Sequence, residues 1–315
     1  MELKDNIKQQ IRFTRINGAP LLKPDTSLDW EAGGIFSPAI IHENNTWKMM
    51  YRANGADNIS RFGYAESDDG INWRKFDKPR VIPDHSGLEF SGIEDPRIVK
   101  IDGKYLITYT AFDNKRKFVQ TKIRILRTTD FRKFKRITPS FKGQWRRNDK
   151  DGVLFPEKID GKFCMLHRLE PSIQLSYSKN LKKWTKCCTV LRPTSNDWES
   201  LKIGAGAPPI RTTIGWLFIY HGVSQHREYS MGAAILDIND PTKVLFRLPF
   251  PLLTPSEKYE ESGVVPNVVF GTSVVELVVN YHIYYGAADD VIAAALIDKN
   301  SLLATLIQYP VEPVD

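Results

Sequence analysis

The chain has 315 residues, long enough for one large domain or two small ones, and its apolar share of 42% is ordinary for a soluble globular protein. The net charge of +7 is scattered, with local clusters at Lys115-Arg116-Lys117 and Arg132 to Arg136; nothing resembles a helical basic region or a zinc finger. This argues against nucleic acid and leaves room for a pocket that takes a small anion. Three cysteines, Cys164, Cys187 and Cys188, give neither a disulfide framework nor a metal-ligand spacing. No run of 18 apolar residues offers a membrane span, and the polar segment Met1 to Arg15 lacks an apolar signal core. A cytoplasmic protein is expected, with no metal, no cofactor and no membrane partner; homo-oligomerisation stays open.

Residues 2 to 11 fit one short helix, and little else in the chain has helical periodicity. From there the sequence repeats a unit: a proline, a short strand, a turn, and a second strand ending in aromatic and polar residues. The units begin at Pro38, Pro96, Pro156, Pro209 and Pro266, roughly 57 residues apart. Proline lacks an N–H and is unsuited to the middle of a sheet, so Pro96 is read as opening its strand, with Glu94, Asp95 and Arg97 at the mouth of the sheet.

A second element recurs as Ala65 to Trp73, Thr128 to Phe134 and Tyr177 to Trp184. In each, a strand meets a turn of Asp, Gly or Asn and an aromatic returns to the core, which is a hairpin pattern. In the fourth unit Leu236 to Pro241 takes that place. Five such units predict an all-β fold, a five-bladed β-propeller, as a single domain over residues 1–315 with a short N-terminal extension over 1–30. A β-sandwich does not account for the period.

In a propeller the same position of each blade converges on one axis. The strand ends read here are Arg52; Asp95 and Arg97; Lys158, His167 and Arg168; Lys202 and His221; Asn267 and Asp289. Arg, Lys and His gathered there suit an anion, and Asp95 and Asp289 beside them suit sugar hydroxyls and proton transfer. The run Leu201 to Pro209 is glycine-rich but lacks the ending of a phosphate-binding P-loop, so its glycines read as close packing.

These residues resemble glycoside hydrolase family 130, the inverting β-mannoside phosphorylases. The stretches that carry the resemblance are Gly92 to Arg97, Asp149 to Lys158 with Met165 to Arg168, Ser200 to Pro209, Ile219 to Val223, Tyr229 to Ala234, Val265 to Phe270 and Tyr284 to Asp289. The resemblance implies that Asp95 is the catalytic acid, donating its proton to the glycosidic oxygen through the sugar's 3-hydroxyl. It implies that Arg168, Lys202, His221 and Tyr229 bind phosphate. It implies that Arg52, Asn148 and Asp289 hold the mannose, while Glu94 and Arg97 orient or bind. The implied substrates are a β-mannoside and inorganic phosphate, and the implied product is α-mannose 1-phosphate. Gly152, Ala207 and the short loop 224–228 depart from the family pattern, and that loop shapes the pocket.

A phosphorylase needs no carboxylate to activate water, because phosphate is itself an anionic nucleophile; it needs cations to hold that phosphate. An inverting β-mannosidase on the same fold would need a water-activating acid facing Asp95, and Glu157 and Glu199 are the nearest candidates in sequence. A third reading is a non-catalytic propeller that binds sugars or proteins.

Overall fold

The computed structural model describes residues 11–85, 87–115, 119–141 and 148–312. The helix expected over residues 2 to 11 falls, apart from Ile11, outside these, as do Arg116 and Lys117. The fold is all-β; among the described residues the only α-helices are the short Lys258–Glu261 and Lys299–Leu306.

The first strand among the described residues, β1 (Thr14–Arg15), pairs with the last. It thereby builds part of the expected N-terminal extension into the sheet structure. The other strands run in five stacks, antiparallel within each except for one short parallel edge pairing, Ser140 with Lys183 and Phe141 with Trp184. The first is β2 (Ile35–Glu43), β3 (Thr46–Asn54) and β4 (Ser60–Ser67), edged by β5 (Arg74–Lys75). The second is β6 (Gly92–Ile101), β7 (Lys104–Asp113), β8 (Gln120–Thr128) and β9 (Lys135–Ile137). A single parallel pair, Ser60 with Gly92, joins these two stacks into one eight-stranded sheet. Gly92 has a φ of 137°, and a Cβ there would sit 2.8 Å from the Ser60 nitrogen, so the junction requires glycine.

The third stack takes β10 (Ser140–Phe141) at its outer edge, then β11 (Lys150–Leu154), β12 (Phe163–Leu169), β13 (Ser172–Ser178) and β14 (Lys183–Leu191). The fourth holds β15 (Lys202–Ala205), β16 (Ile210–Thr212), β17 (Gly215–Val223), β18 (Tyr229–Leu236) and β19 (Val244–Arg247). The fifth holds β20 (Val269–Glu276), β21 (Asn280–Ala287) and β22 (Val291–Asp298), closed by β1.

Strands this apolar on both faces must be covered on both, and five buried clusters do so. Each cluster draws on two stacks that follow one another. Ile107 packs with Met50, Ile125 with Met165, Leu175 with Phe218, and Leu217 with Ile283. Tyr284 of the fifth stack packs with Trp47 of the first. Trp184 and Trp216 are wholly buried, and truncating either to Ala would cost about 3–5 kcal/mol.

The hairpin pattern of the sequence appears as one repeated turn. Asp69 Oδ1 accepts the N–H groups of Ile71 and Asn72, Asp130 Oδ1 those of Arg132 and Lys133, and Asn180 Oδ1 those of Lys182 and Lys183. Asp237 repeats it with Asn239 and Asp240. A short polar side chain here replaces backbone partners that the turn cannot supply.

The prolines sit differently from the sequence expectation. Pro38 lies inside β2 and Pro96 inside β6, each on a bulge. Phe36 pairs with Arg52 and Ala39 with Met50, so Ser37-Pro38 face Tyr51 alone. Likewise Asp95-Pro96 face Tyr109. The bulge interrupts the ladder, so the missing proline N–H leaves nothing unpaired. In the third stack the bulge is Asp151-Gly152, facing His167, and Pro156 follows β11 rather than opening it.

In every stack one ring of the second long strand is tied to a buried carboxylate that precedes the innermost strand, and three of these rings, Tyr51, Tyr109 and His167, are the ones that face the bulges. Tyr51 donates to Glu31, Tyr109 to Glu89, Tyr220 to Glu199 and Tyr285 to Glu260. His167 Nδ1 lies 2.8 Å from Asp149. A cation completes four of them: Lys75 on Glu31, Arg136 on Glu89, Arg247 on Glu199 and Arg15 on Glu260. The struts on Tyr51, Tyr109 and His167 brace the three bulges from behind.

Candidate active site

The bulges turn Ser37, Asp95 and Asp151 into one cavity, which Arg52, Lys150, Arg168, Tyr229 and Asp289 also line, with Val265, Val268 and Phe270 as its apolar wall. Ser37, Asp95, Asp151 and Asp289 all have left-handed backbone, with φ of 48°, 52°, 55° and 52°. Such conformations cost non-glycine residues energy and persist where the surroundings impose them. Asp289 follows Ala288, φ 48°, in a tight turn whose Asp290 N–H bonds back to Ala287.

Asp95 is buried. Ser37 Oγ donates to its Oδ1 at 2.9 Å and Arg52 Nη1 to the same oxygen at 3.2 Å. Burial pushes this carboxyl up, but Arg52, Lys150 and Arg97 outweigh it and hold it below its ordinary value. Arg52 is fixed on every side: Nη2 donates to Glu94 at 2.7 Å, Nε to Ser60 at 2.9 Å, and its guanidinium lies over the Phe36 ring. Glu94 thus orients Arg52 and does not line the cavity. Asp289 behaves differently from Asp95: burial, with Asp95 and Glu94 nearby, raises it to about 6 despite Arg52.

Behind Asp95 lies a buried charge cluster. Asp151 is 0% exposed, with Arg168 Nη1 at 3.1 Å and Arg97 Nη2 at 3.6 Å. Burial raises this carboxyl, and Arg168 and its neighbouring cations outweigh that, keeping it ionised well below the usual range. Arg97 also donates to the carbonyls of Asp95, Ala205 and Gly206, so it is a positioning residue and not a wall of the cavity. Gly204 packs against this cluster: a Cβ there would meet His221 Cε1 at 2.4 Å and Asp151 Oδ2 at 2.5 Å. The glycine-rich run serves close packing, as its sequence implies.

The phosphate residues implied by the resemblance fall together, with one change of role. Burial, reinforced by Arg168 and Arg97 and only partly offset by Asp151, depresses His221 to about 3. It is therefore a neutral hydrogen-bonding group at neutral pH, not one of the cations. Arg168 Nη1 lies 3.4 Å from His221 Nε2, which leaves Nδ1 as the donor, and Nδ1 has no hydrogen-bond partner among the described residues. Arg168 Nε likewise has none. The Tyr229 ring stacks on His221 with centroids 5.8 Å apart. Lys202 stands at the rim, and its Nζ donates to Glu170 Oε1 at 3.1 Å. Arg168 Nη2 lies 3.5 Å from that same oxygen.

Other sequence candidates lie elsewhere. Lys158 pairs with Asp102 on the surface, because its proline follows β11 and the hairpin carries it outward. His167 is spent between Asp149 and Ser176. Asn267 is exposed and contributes its backbone carbonyl to Tyr229. Asn148 is exposed, and its Oδ1 accepts from the Thr121 N–H. Neither candidate water-activating acid faces Asp95. Glu157 pairs with Arg211 on the surface, and Glu199 is a strut held by Tyr220, Arg247 and Thr194. Ser37, Lys150 and Asp151 are the polar cavity residues that sequence reasoning did not single out. The signal for Ser37 was its place ahead of the Asn44-Asn45 turn, matching Asp95 ahead of Asp102-Gly103. Among the described residues no group of three or more His, Cys, Asp or Glu side chains is placed to hold a metal ion.

The family model for beta-1,4-mannooligosaccharide phosphorylase matches residues 19–307. A 1,2-beta-oligomannan phosphorylase from Thermoanaerobacter sp. (strain X514) is 38% identical, across 93% of this chain and 99% of that protein. A beta-1,2-mannobiose phosphorylase from the same strain is 39% identical, across 92% and 99%. The beta-1,2-mannobiose phosphorylase of Listeria innocua, solved in complex with beta-1,2-mannobiose, matches with a TM-score of 0.81 at 25% identity, over 93% of this chain and 99% of that one. The chain belongs to glycoside hydrolase family 130.

Proposed function

We propose that the protein is an inverting β-mannoside phosphorylase that splits β-1,2-linked manno-oligosaccharides with inorganic phosphate, releasing α-D-mannose 1-phosphate and a shortened mannoside. The observation that carries this is the convergence of Arg168 and Lys202 on one anion position, filled by a carboxylate oxygen, with Arg168 lining the same cavity as the buried acid Asp95. The two relatives at 38% and 39% identity support the β-1,2 linkage over β-1,4.

In this reading Arg52 and Asp289 hold the mannose, and Arg168, Lys202, His221 and Tyr229 hold phosphate on the far face of its ring. A phosphate oxygen attacks C1 as the bond from C1 to the glycosidic oxygen breaks, and Asp95 supplies the proton that the departing oxygen takes. Attack from the face opposite the leaving group inverts the centre. Phosphate brings negative charge to a site whose cations hold Asp95 down, so its arrival raises Asp95 and favours the protonated acid. The five stacks, each sharing a core with the next and the fifth with the first, support reading them as the blades of a five-bladed propeller with the cavity on its axis. A cytoplasmic setting fits a charged product that cannot cross a membrane unaided; among the described residues no helix is long and apolar enough to span one.

The test is a product assay with β-1,2- and β-1,4-mannobiose, with and without phosphate. Mannose 1-phosphate formed only with phosphate, and faster from the β-1,2 sugar, is the expected result. Free mannose released equally without phosphate overturns it.

A further inference from the structure

We propose that Glu170 is a built-in competitor for phosphate, its carboxylate holding the anion position until the substrate displaces it; the proposal rests on the phosphate reading above. One oxygen, Oε1, is shared by Lys202 Nζ at 3.1 Å and Arg168 Nη2 at 3.5 Å. An anion bridging two cations is the arrangement a phosphate oxygen would make with the same groups. The side chains differ in freedom. Those of Arg168 and Lys202 are 4% and 24% exposed, whereas that of Glu170 is 61% exposed.

Glu170 stands in the tight turn that closes β12 onto β13, where Leu169 pairs with Ser172. Its side chain can leave by rotation into solvent while the turn stays in place. Asp151, the other carboxylate on Arg168, is fully buried and fixed, so it belongs to the frame of the site. Burial pushes the Glu170 carboxyl up, and Arg168 and Lys202 outweigh it and hold it below its ordinary value. Two of the four phosphate residues therefore share one solvent-exposed carboxylate oxygen. Its consequence is a site whose cations are neutralised when phosphate is scarce, with a weaker apparent affinity as the cost.

The test compares wild type with Glu170→Gln, which keeps the shape and removes the charge. Titration calorimetry with inorganic phosphate, without sugar, should show about fivefold tighter binding by the variant, the effect of one partly exposed charge contact. The KM for phosphate in phosphorolysis should fall by a similar factor, with the change in KM and not in kcat. Equal or weaker phosphate binding by Glu170→Gln overturns the proposal and assigns Glu170 to holding Lys202 in place. A wild-type protein that neither binds phosphate nor needs it for turnover overturns the phosphate reading itself.

Discussion

Ser37 and Asp95, one on the first stack and one on the second, meet at 2.9 Å through hydroxyl and carboxylate, each from a left-handed position on a bulge. The two bulges turn toward each other, so the same irregularity repeated in neighbouring stacks builds the acid and its support. Asp95→Asn tests the acid with little disturbance, since Asn tolerates left-handed backbone and its amide oxygen can still accept from Ser37 and Arg52. We expect kcat to fall by about 10²–10⁴ while phosphate binding persists, measured by product assay and calorimetry. Turnover within a few-fold of wild type would remove Asp95 from the chemistry.

Arg168 and Lys202 approach the same oxygen from different depths, and their removal should read differently. Lys202→Met should raise the KM for phosphate roughly tenfold, with the melting temperature nearly unchanged, because Lys202 stands at the rim. Arg168→Met takes the nearest cation from the fully buried Asp151 and should also destabilise the fold by about 3–5 kcal/mol. Denaturant unfolding beside kinetics separates the two; equal stabilities would mean that Arg168 does not hold Asp151 in place.

Glu199 looks from the sequence like a candidate water-activating acid, and the structure makes it a strut. Its oxygens take the hydroxyls of Tyr220 and Thr194 and the guanidinium of Arg247. Glu199→Gln leaves the partly buried Arg247 without its anion and should cost about 3 kcal/mol of stability. The ratio of mannose 1-phosphate to free mannose should stay as in wild type. A selective loss of free mannose would return Glu199 to the chemistry.

What the sequence makes legible follows from what repeats on its face. The polar turns at Asp69, Asp130 and Asn180 have fixed chemistry, and they mark the stacks. Arg52, Asp95, Arg168, Tyr229 and Asp289 are legible through the resemblance, and all line the cavity. Asp151 is hidden because its bulge carries Gly152 where the first two carry Pro38 and Pro96, so a reading anchored on prolines slides past it to Pro156. A bulge also breaks the alternation by which a strand is read. The struts are hidden for another reason: Glu31 and Tyr51 stand twenty residues apart, and nothing local shows that a loop carboxylate is buried. The same holds for Glu170, which reads as an ordinary surface acid.

Asp289 is the carboxyl whose burial works against the fold. Its folded value of about 6 lies above the unfolded 3.8, so the native state binds the proton more tightly than the unfolded chain does. Such a group adds no penalty below about pH 3.8. Its cost grows as pH rises through about 6 and is then complete. Asp289→Asn removes the charge, so the variant should be more stable than wild type at pH 8, by on the order of 2–3 kcal/mol, and should lose that advantage near pH 4. His221 works in the opposite sense: folded at about 3 and unfolded at 6.5, it withdraws stability as pH falls between those values in both proteins alike, so it cancels from the comparison. The kcat/KM for the mannoside should fall in the same variant, since an amide hydrogen-bonds sugar hydroxyls less strongly than a carboxylate. Urea unfolding of both proteins at pH 4, 6 and 8 gives the answer. A variant no more stable than wild type at pH 8 would show that Arg52 already compensates the buried charge in full.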